Sequence, residues 1–457
     1  TNVHIEWEVH SRADYGTVVA AKLASGQVET DIFNVSNPSL VNQSGEAGIF
    51  VDLTPYLETC APNLIAYNRD VNPNILPSSK SADGKQYYMG GSVSPDIGHI
   101  TYMYNTAWMK KLGREVPTTL DEFYDLCNAM KGQDLNENGT LDEIVLTTAG
   151  FGSLDIMGNS FGLEHYEGTS MFAAKDGVVY SEHVSDEQRE YLTYLRKLYD
   201  EGILDPSVAK TSADDMSQKI AADQVGIFVY YCGFADTYGR LTTAGQADPM
   251  GEHYTIGGPL EGPNGHRYLM RRDRPTNDAT AVSASGENIE LAIKWLDTLI
   301  SDPAVILTRT CGWEGEHYTI GENGDIQLIY PEDGVWTITK YGCGQIAMPH
   351  YQTYDQLMNT RKNKPWYQEQ YNALLDPYIF ITPSVPPTNT YTVEEQDLID
   401  MVASDCRDYF TEMRAKFVTG EADIETEWDS YVATMYNLGL QDWIDAMQSY
   451  YDRALAK

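Results

Sequence analysis

The chain has 457 residues, enough for two or three domains of ordinary size and a large buried core. Its 67 Asp and Glu outnumber 31 Lys and Arg, and the resulting net charge of −36 repels phosphate backbones and anionic lipid surfaces, which excludes nucleic acid and membrane surfaces as expected partners. No run approaches the roughly 18–20 apolar residues that span a bilayer, so the chain reads as soluble. Residue 1 is Thr, and no apolar signal segment follows it; the expectation is a chain whose export signal or lipid anchor has been removed.

Val3, Ile5 and Trp7 alternate and predict a strand, Tyr15, Val18, Val19 and Leu23 follow helical spacing up to Gly26, and residues 30–35 predict a second strand. A strand–helix–strand opening implies a parallel pair with a right-handed crossover, with ligands met at the strand-end loops 8–10 and 34–37. Thr54-Pro55 predicts an N-cap and first-turn proline for a helix carrying Leu57. Ile100, Tyr102 and Tyr104 predict a strand over 98–104, and Thr119-x-x-Glu122 a capping box that opens a helix running to Gly132. Ser185-x-x-Gln188 opens another, with Leu192, Leu195 and Leu198 inward, and 225–231 reads as a strand ending in adjacent tyrosines. The 288–300 segment is amphipathic until Asp302-Pro303 breaks it. In the last quarter Thr392-x-x-Glu395 caps a long helix ending near Gly420, Trp428, Tyr431, Val432 and Met435 mark a second, and a third reaches the C-terminus. With no internal repeat and no long linker, the domains are expected to be interwoven.

Six cysteines (60, 127, 232, 311, 343 and 406) lie far apart with no metal-binding spacing and read mostly as buried thiols. The 32 Tyr and 8 Trp exceed what a core usually consumes. Such rings suit sugar faces, whose C–H groups stack while their hydroxyls need hydrogen bonds, although half-buried surface tyrosines account for most of them.

Between 134 and 143, Asp134, Asn136, Asn138, Thr140 (through its carbonyl), Asp142 and Glu143 place oxygens at close intervals around Gly139. Ca²⁺ takes about 6–8 oxygens at roughly 2.3–2.6 Å, and an Asp-x-Asn-x-Asn-Gly loop can wrap them around one ion. Val145 stands where a helix–loop–helix hand has its bidentate Glu, so the loop is not an EF-hand and Asp142 and Glu143 must complete the shell. The alternative is a polar turn closed by Asx hydrogen bonds. Either way the role is structural, since a shell filled by protein oxygens leaves no open position.

The segments 23–26 with 30–32, 83–88, 116–123, the 134–143 loop, 312–318, and the tail 417–421 with 428–431 and 451–453 occur in one order that resembles the large family-1 extracellular solute-binding lipoproteins of ABC importers, nearly end to end. The resemblance implies an α/β, two-lobed, type II periplasmic-binding-protein-like fold, its interwoven lobes joined by hinge strands and closing on ligand. The lobe boundaries expected are 1–106 with 280–335 for lobe 1, and 107–279 with 336–457 for lobe 2. It also implies the capture of an oligosaccharide for a membrane permease, by a cell-surface lipoprotein or a periplasmic protein that is a monomer and not an enzyme. Alginate-binding members hold calcium in a similar loop, which assigns the six residues above.

Position nominates the ligand contacts: Trp7 and Glu8; Asn34, Ser36 and Asn37; Ser92 and Asp96; Asp155; Tyr230 and Tyr231; Trp313 with Glu314; and Tyr351. Trp7 fits core packing equally well, and only one of Tyr230 and Tyr231 can face a cleft. Trp313 sits in a glycine-bounded loop and is the foremost stacking residue. Trp108, Trp295, Trp428 and Trp443 lie on helical stripes and read as packing. Arg271, with Arg272 and Arg274, could pair a uronate carboxylate, but inter-lobe ion pairs suit so acidic a chain better, and a neutral oligosaccharide is the expected ligand. The rival readings are a calcium-stabilised glycoside hydrolase, which needs two carboxylates across a cleft and has no catalytic motif in support, and a binder of uronic-acid glycans or peptides on the same scaffold.

Overall fold

The computed structural model describes the chain except for residues 1–2, 11, 27, 36, 74, 91, 94–99, 166–170, 232–252, 271–278, 323, 325, 330–350, 353–378, 382, 387–390 and 456–457. Helices and strands are mixed along it, and its described apolar residues fall into separate cores.

One sheet has three strands in the order β1 (Ile32–Val35), β11 (Ala279–Val282), β2 (Met89–Gly90), antiparallel throughout. Ile32 lies opposite Val282 and Val35 opposite Ala279, so a strand from far along the sequence is the centre of the N-terminal sheet. One core packs Val19, Leu23, Phe33, Val41 and Phe50 against it; another packs Leu53, Leu64, Met89, Ile293 and Leu296. The expected opening pair does not form. Residues 3–10 are irregular and Trp7 is 64% exposed, so the alternation of Val3, Ile5 and Trp7 faces no sheet edge. A period of two marks a strand only where a partner edge supplies hydrogen bonds, and β1 takes its partner from β11 instead.

The second sheet runs β5 (Ile144–Thr148), β8 (Val225–Tyr231), β4 (Ile100–Asn105), β9 (Tyr254–Gly257), with β5 and β8 parallel and β4 antiparallel to both its neighbours. All six residues of β4 are buried, so both its faces are covered, which is why it reads as a nearly unbroken Ile-Thr-Tyr-Met-Tyr run. This sheet centres the larger core, to which the Leu120–Met130 helix contributes Phe123, Leu126 and Met130 and the Asp186–Asp200 helix Leu192, Leu195 and Leu198. Trp108, Trp428 and Trp443 are buried in it as expected, while Trp295 is half-buried against a smaller core.

Three C-terminal helices, Val393–Thr419, Ile424–Asn437 and Leu440–Leu455, complete the larger core. Thr392 and Glu395 form a reciprocal capping box, and the same Glu395 carboxylate accepts from Arg453 at 2.6 Å, binding the first of these helices to the last. Gly420 ends the first in the left-handed region. Two other caps depart from the reading. Thr119 caps its helix, but Glu122 reaches past it to the N–H and hydroxyl of Thr118, because that donor pair lies within reach. Asp302-Pro303 ends one helix and opens another, Pro303–Cys311, since a carboxylate N-cap followed by proline at the first position starts a helix as well as it stops one. Cys60, Cys127, Cys311 and Cys406 are buried free thiols; Cys232 and Cys343 lie outside the described residues.

Short pairings join distant segments. β10 (Tyr268–Met270) runs parallel to β15 (Ile379–Ile381), and β3 (Ser92–Val93) parallel to β14 (Tyr351–Gln352). A hairpin of β6 (Phe172–Lys175) and β7 (Val178–Ser181) lies against the last helix, and β12 (Tyr318–Ile320) pairs with β13 (Ile326–Leu328) beside the Trp313 loop. No helix among the described residues is long and apolar enough to cross a membrane.

Candidate functional site

Tyr230 and Tyr231 are the last residues of β8, opposite Thr101 and Ile100 of β4. Both are half-buried, and their rings meet edge to face with centroids 5.2 Å apart, so the pair forms one aromatic step although successive strand residues start toward opposite faces. Ser92 and Tyr351, separated by more than half the chain, are register partners in the β3–β14 pair. This brings together two of the predicted ligand residues at the backbone level.

Trp313 is 57% exposed on a loop built to hold it. Gly312 and Gly315 both take positive φ, the Trp313 N–H donates to Nδ1 of His317 at 2.9 Å, and its carbonyl accepts from the His317 N–H at 2.8 Å. The loop backbone is thus tied down while the indole stands clear. Glu314 is exposed beside it and bridges to Tyr318.

The remaining candidates are dispersed. Glu8 accepts from Lys22 at 2.5 Å and lies 2.7 Å from His10, and the Lys22 hydrogen bonds hold its carboxyl below the usual range. Trp7 lies 6.4 Å from Trp295, centroid to centroid, at the surface. Asn34 donates to Thr280 Oγ1 at 2.9 Å across the β1–β11 pair, and Asn37 caps the Pro38–Glu46 helix by accepting from Leu40. Asp155 is 2% exposed and bonds Arg414 at 3.1 Å. That places it inside the larger core as half of an ion pair, where a ligand contact was expected. Ser36, Asp96 and Arg271, with Arg272 and Arg274, lie outside the described residues.

The 134–143 loop folds tightly on itself. Asp134 accepts the N–H groups of Asn138 and Gly139 at 3.1 and 3.0 Å, and Asn136 Oδ1 accepts that of Asn138 at 3.0 Å. Asn138 Oδ1 takes the N–H of Thr140 at 2.7 Å, and Glu143 that of Leu135 at 2.7 Å. Positive φ at Glu137 and Gly139 turns the backbone inward. Contacts from far along the sequence brace it: Gln224 donates to Asp142 at 2.7 Å, Asn136 donates to the Asp223 carbonyl at 3.0 Å, and Lys111 donates to the Leu135 carbonyl at 2.6 Å while pairing with Glu137. The Gln224 and Asn138 hydrogen bonds keep Asp142 below its usual pKa. Lys111, Asp223 and Gln224 were not legible as partners of the loop, since no local pattern marks them. The donors are all oxygens within ten residues, the kind a hard cation takes, and no three Asp, Glu, His or Cys side chains among the described residues are grouped closely enough to hold a metal unaided. Any ion here would rest on the Asn amide and Thr carbonyl oxygens as well.

Residues 1–306 match the family described as bacterial extracellular solute-binding protein. The fructooligosaccharide ABC transporter substrate-binding protein FusA of Streptococcus pneumoniae is 23% identical over 99% of this chain and 85% of its own. Its structure in complex with kestose superposes with a TM-score of 0.77 at 20% identity, covering 100% of this chain and 94% of that one; FusA has also been solved as an EF-hand mutant in complex with fructo-nystose. The alginate-binding protein AlgQ2, solved without calcium ion, superposes with a TM-score of 0.72 at 21% identity, over 95% of this chain and 88% of that one. The two-lobed α/β architecture of these proteins is the architecture of this chain, which belongs to the bacterial extracellular solute-binding protein family.

Proposed function

We propose that this chain is the substrate-capturing component of an ABC importer, gripping an oligosaccharide between its lobes and delivering it to a membrane permease. The observation that carries the reading is the full-length likeness to FusA, a fructooligosaccharide-binding protein solved with kestose. Lobes in such a fold open and close, and ligand favours closure by touching both. The lobe boundaries proposed are those expected from sequence, and the working form is a cell-surface monomer attached by a lipid anchor. Calorimetric titration with neutral glycans, uronides and peptides in parallel tests the ligand class: binding of neutral oligosaccharides supports it, binding of peptides alone overturns it. Chromatography of a glycan panel after incubation tests capture against catalysis, and turnover would overturn capture.

Within this reading Trp313 is the principal stacking platform. Trp313→Ala is expected to weaken glycan binding by about 1–3 kcal/mol, a range borrowed from aromatic stacking on nucleic-acid bases, and to leave the melting temperature unchanged because the indole is exposed. Unchanged affinity in calorimetry removes the role.

Asp134, Asn136, Asn138, Thr140, Asp142 and Glu143 are proposed to hold a structural Ca²⁺; the oxygen-only donor set and the EF-hand of FusA support this. At free calcium a hundredfold above its dissociation constant the ion would add about 2.7 kcal/mol, so chelator should lower the melting temperature by several degrees. Elemental analysis finding no calcium after dialysis, with melting indifferent to chelator, rejects the site.

A further inference from the structure

Inside the larger core lies a polar group that neither the loop nor the exposed aromatics use. Glu182, Gln188, His165 and His183 are 0, 0, 3 and 4% exposed. Among the described residues both ring nitrogens of His165, Oε2 of Glu182, Nδ1 of His183 and the side-chain amide of Gln188 find no hydrogen-bond partner. Glu182 Oε1 accepts the N–H of Glu164 at 2.6 Å, and Oε2 points to His165, 3.7 Å from Nε2. The two imidazoles meet edge to face at 5.9 Å, and His183 lies flat on Phe410 at 3.6 Å.

Each packed element contributes its charges. Around Glu182 stand Glu164 and Asp155 from the 155–165 stretch, Glu187 from the Asp186–Asp200 helix, Tyr180 of β7 and Tyr268 of β10. The Val393–Thr419 helix presents Arg414 to both histidines and Arg407 to His183. The acid thus faces other acids, while the imidazoles face cations. A charge on one of them alone would be buried without a counter-ion, at a cost of several kcal/mol.

We infer that Glu182 stays a carboxylic acid in the folded protein and offers its proton to Nε2 of neutral His165, making this seam a clasp held by one proton. The 3.7 Å separation is about 1 Å beyond a hydrogen bond, within the reach of a small side-chain rotation. Loss of the proton would set a second carboxylate against Glu164, which holds the N–H and hydroxyl of Ser384 at 2.6 and 2.8 Å, and so loosen the segment that follows β15.

Burial pushes Glu182 up to about 8, so its contribution to stability is complete below its unfolded value near 4.5 and is lost as pH rises through about 8. Burial lowers His165 to about 3 and depresses His183, so theirs is present above 6.5 and lost as pH falls. The cluster's stabilisation therefore peaks between these two losses.

Calorimetric unfolding at pH 7.5 in buffers of different ionisation enthalpy tests the clasp on the whole chain. Wild type should release on the order of one more proton on unfolding than Glu182→Gln, which keeps shape and a donor but cannot ionise. The fall in melting temperature from pH 6.5 to 8.5 should also flatten in the variant. Equal proton release in the two proteins overturns the inference. If the variant does not fold, nitrogen chemical shifts of His165 in wild type decide: a neutral ring at pH 7 supports the clasp, and an imidazolium overturns it.

Discussion

Arg414→Met is expected to destabilise the protein by about 3–5 kcal/mol, read as a shift in the urea midpoint at unchanged slope. The guanidinium side chain is 11% exposed and the Asp155 carboxylate 3%, their atoms are 3.1 Å apart, and the guanidinium carbon lies 5.4 Å from the Phe151 ring centroid and 5.1 Å from that of Phe410. Methionine can fill the space between those rings, so little of the cost comes from packing. Most comes from the carboxylate left buried without its cation. Asp155→Asn combined with Arg414→Met should therefore recover much of the loss, and a double variant no more stable than the single would reject this account. Glycan titration of Asp155→Asn separates a packing role from ligand contact: affinity per folded molecule should stay constant.

Gly262→Ala is expected to cost about 3 kcal/mol or more. A Cβ there would overlap the backbone carbonyl of Ser160, and backbone cannot turn aside as a side chain can. The contact is one of several that fasten the loop after β9: Glu261 exchanges backbone hydrogen bonds with Thr118 and Leu120, Gly262 donates to the His266 carbonyl, and Ser160 Oγ donates to the Leu260 carbonyl. Overpacking at Gly262 pushes the loop from both the Leu120–Met130 helix and the 159–161 turn. Thermal melting of the purified variant measures it, and a loss within about 0.5 kcal/mol would show that the loop yields freely.

Local chemistry was legible in the sequence and distant pairing was not. Gly26, Gly420, Thr392 with Glu395 and the Leu192–Leu195–Leu198 stripe each act within a few residues, and the helices they bound are where the spacing placed them. Val3, Ile5 and Trp7 misled because alternation says which faces differ and nothing about whether an edge is waiting. β1 and β11 meet across more than two hundred residues, and Asp155 finds Arg414 across 259; no local period records either contact. The tight turn at 134–143 was readable because its polar side chains are contiguous, and its braces at Lys111, Asp223 and Gln224 were not. Trp313 stood out through its flanking glycines, whereas the cluster around Glu182 carries no motif at all.

Ile144 opposite Val225 sets the loop 134–143 at the head of the parallel β5–β8 pair, and Tyr230 and Tyr231 stand at the tail of β8. Six residues of strand put about 20 Å between them. Under the calcium site and sugar contact proposed above, a lanthanide seated in that loop would lie about 20 Å from the tyrosines, and its luminescence is expected to stay constant through a sugar titration.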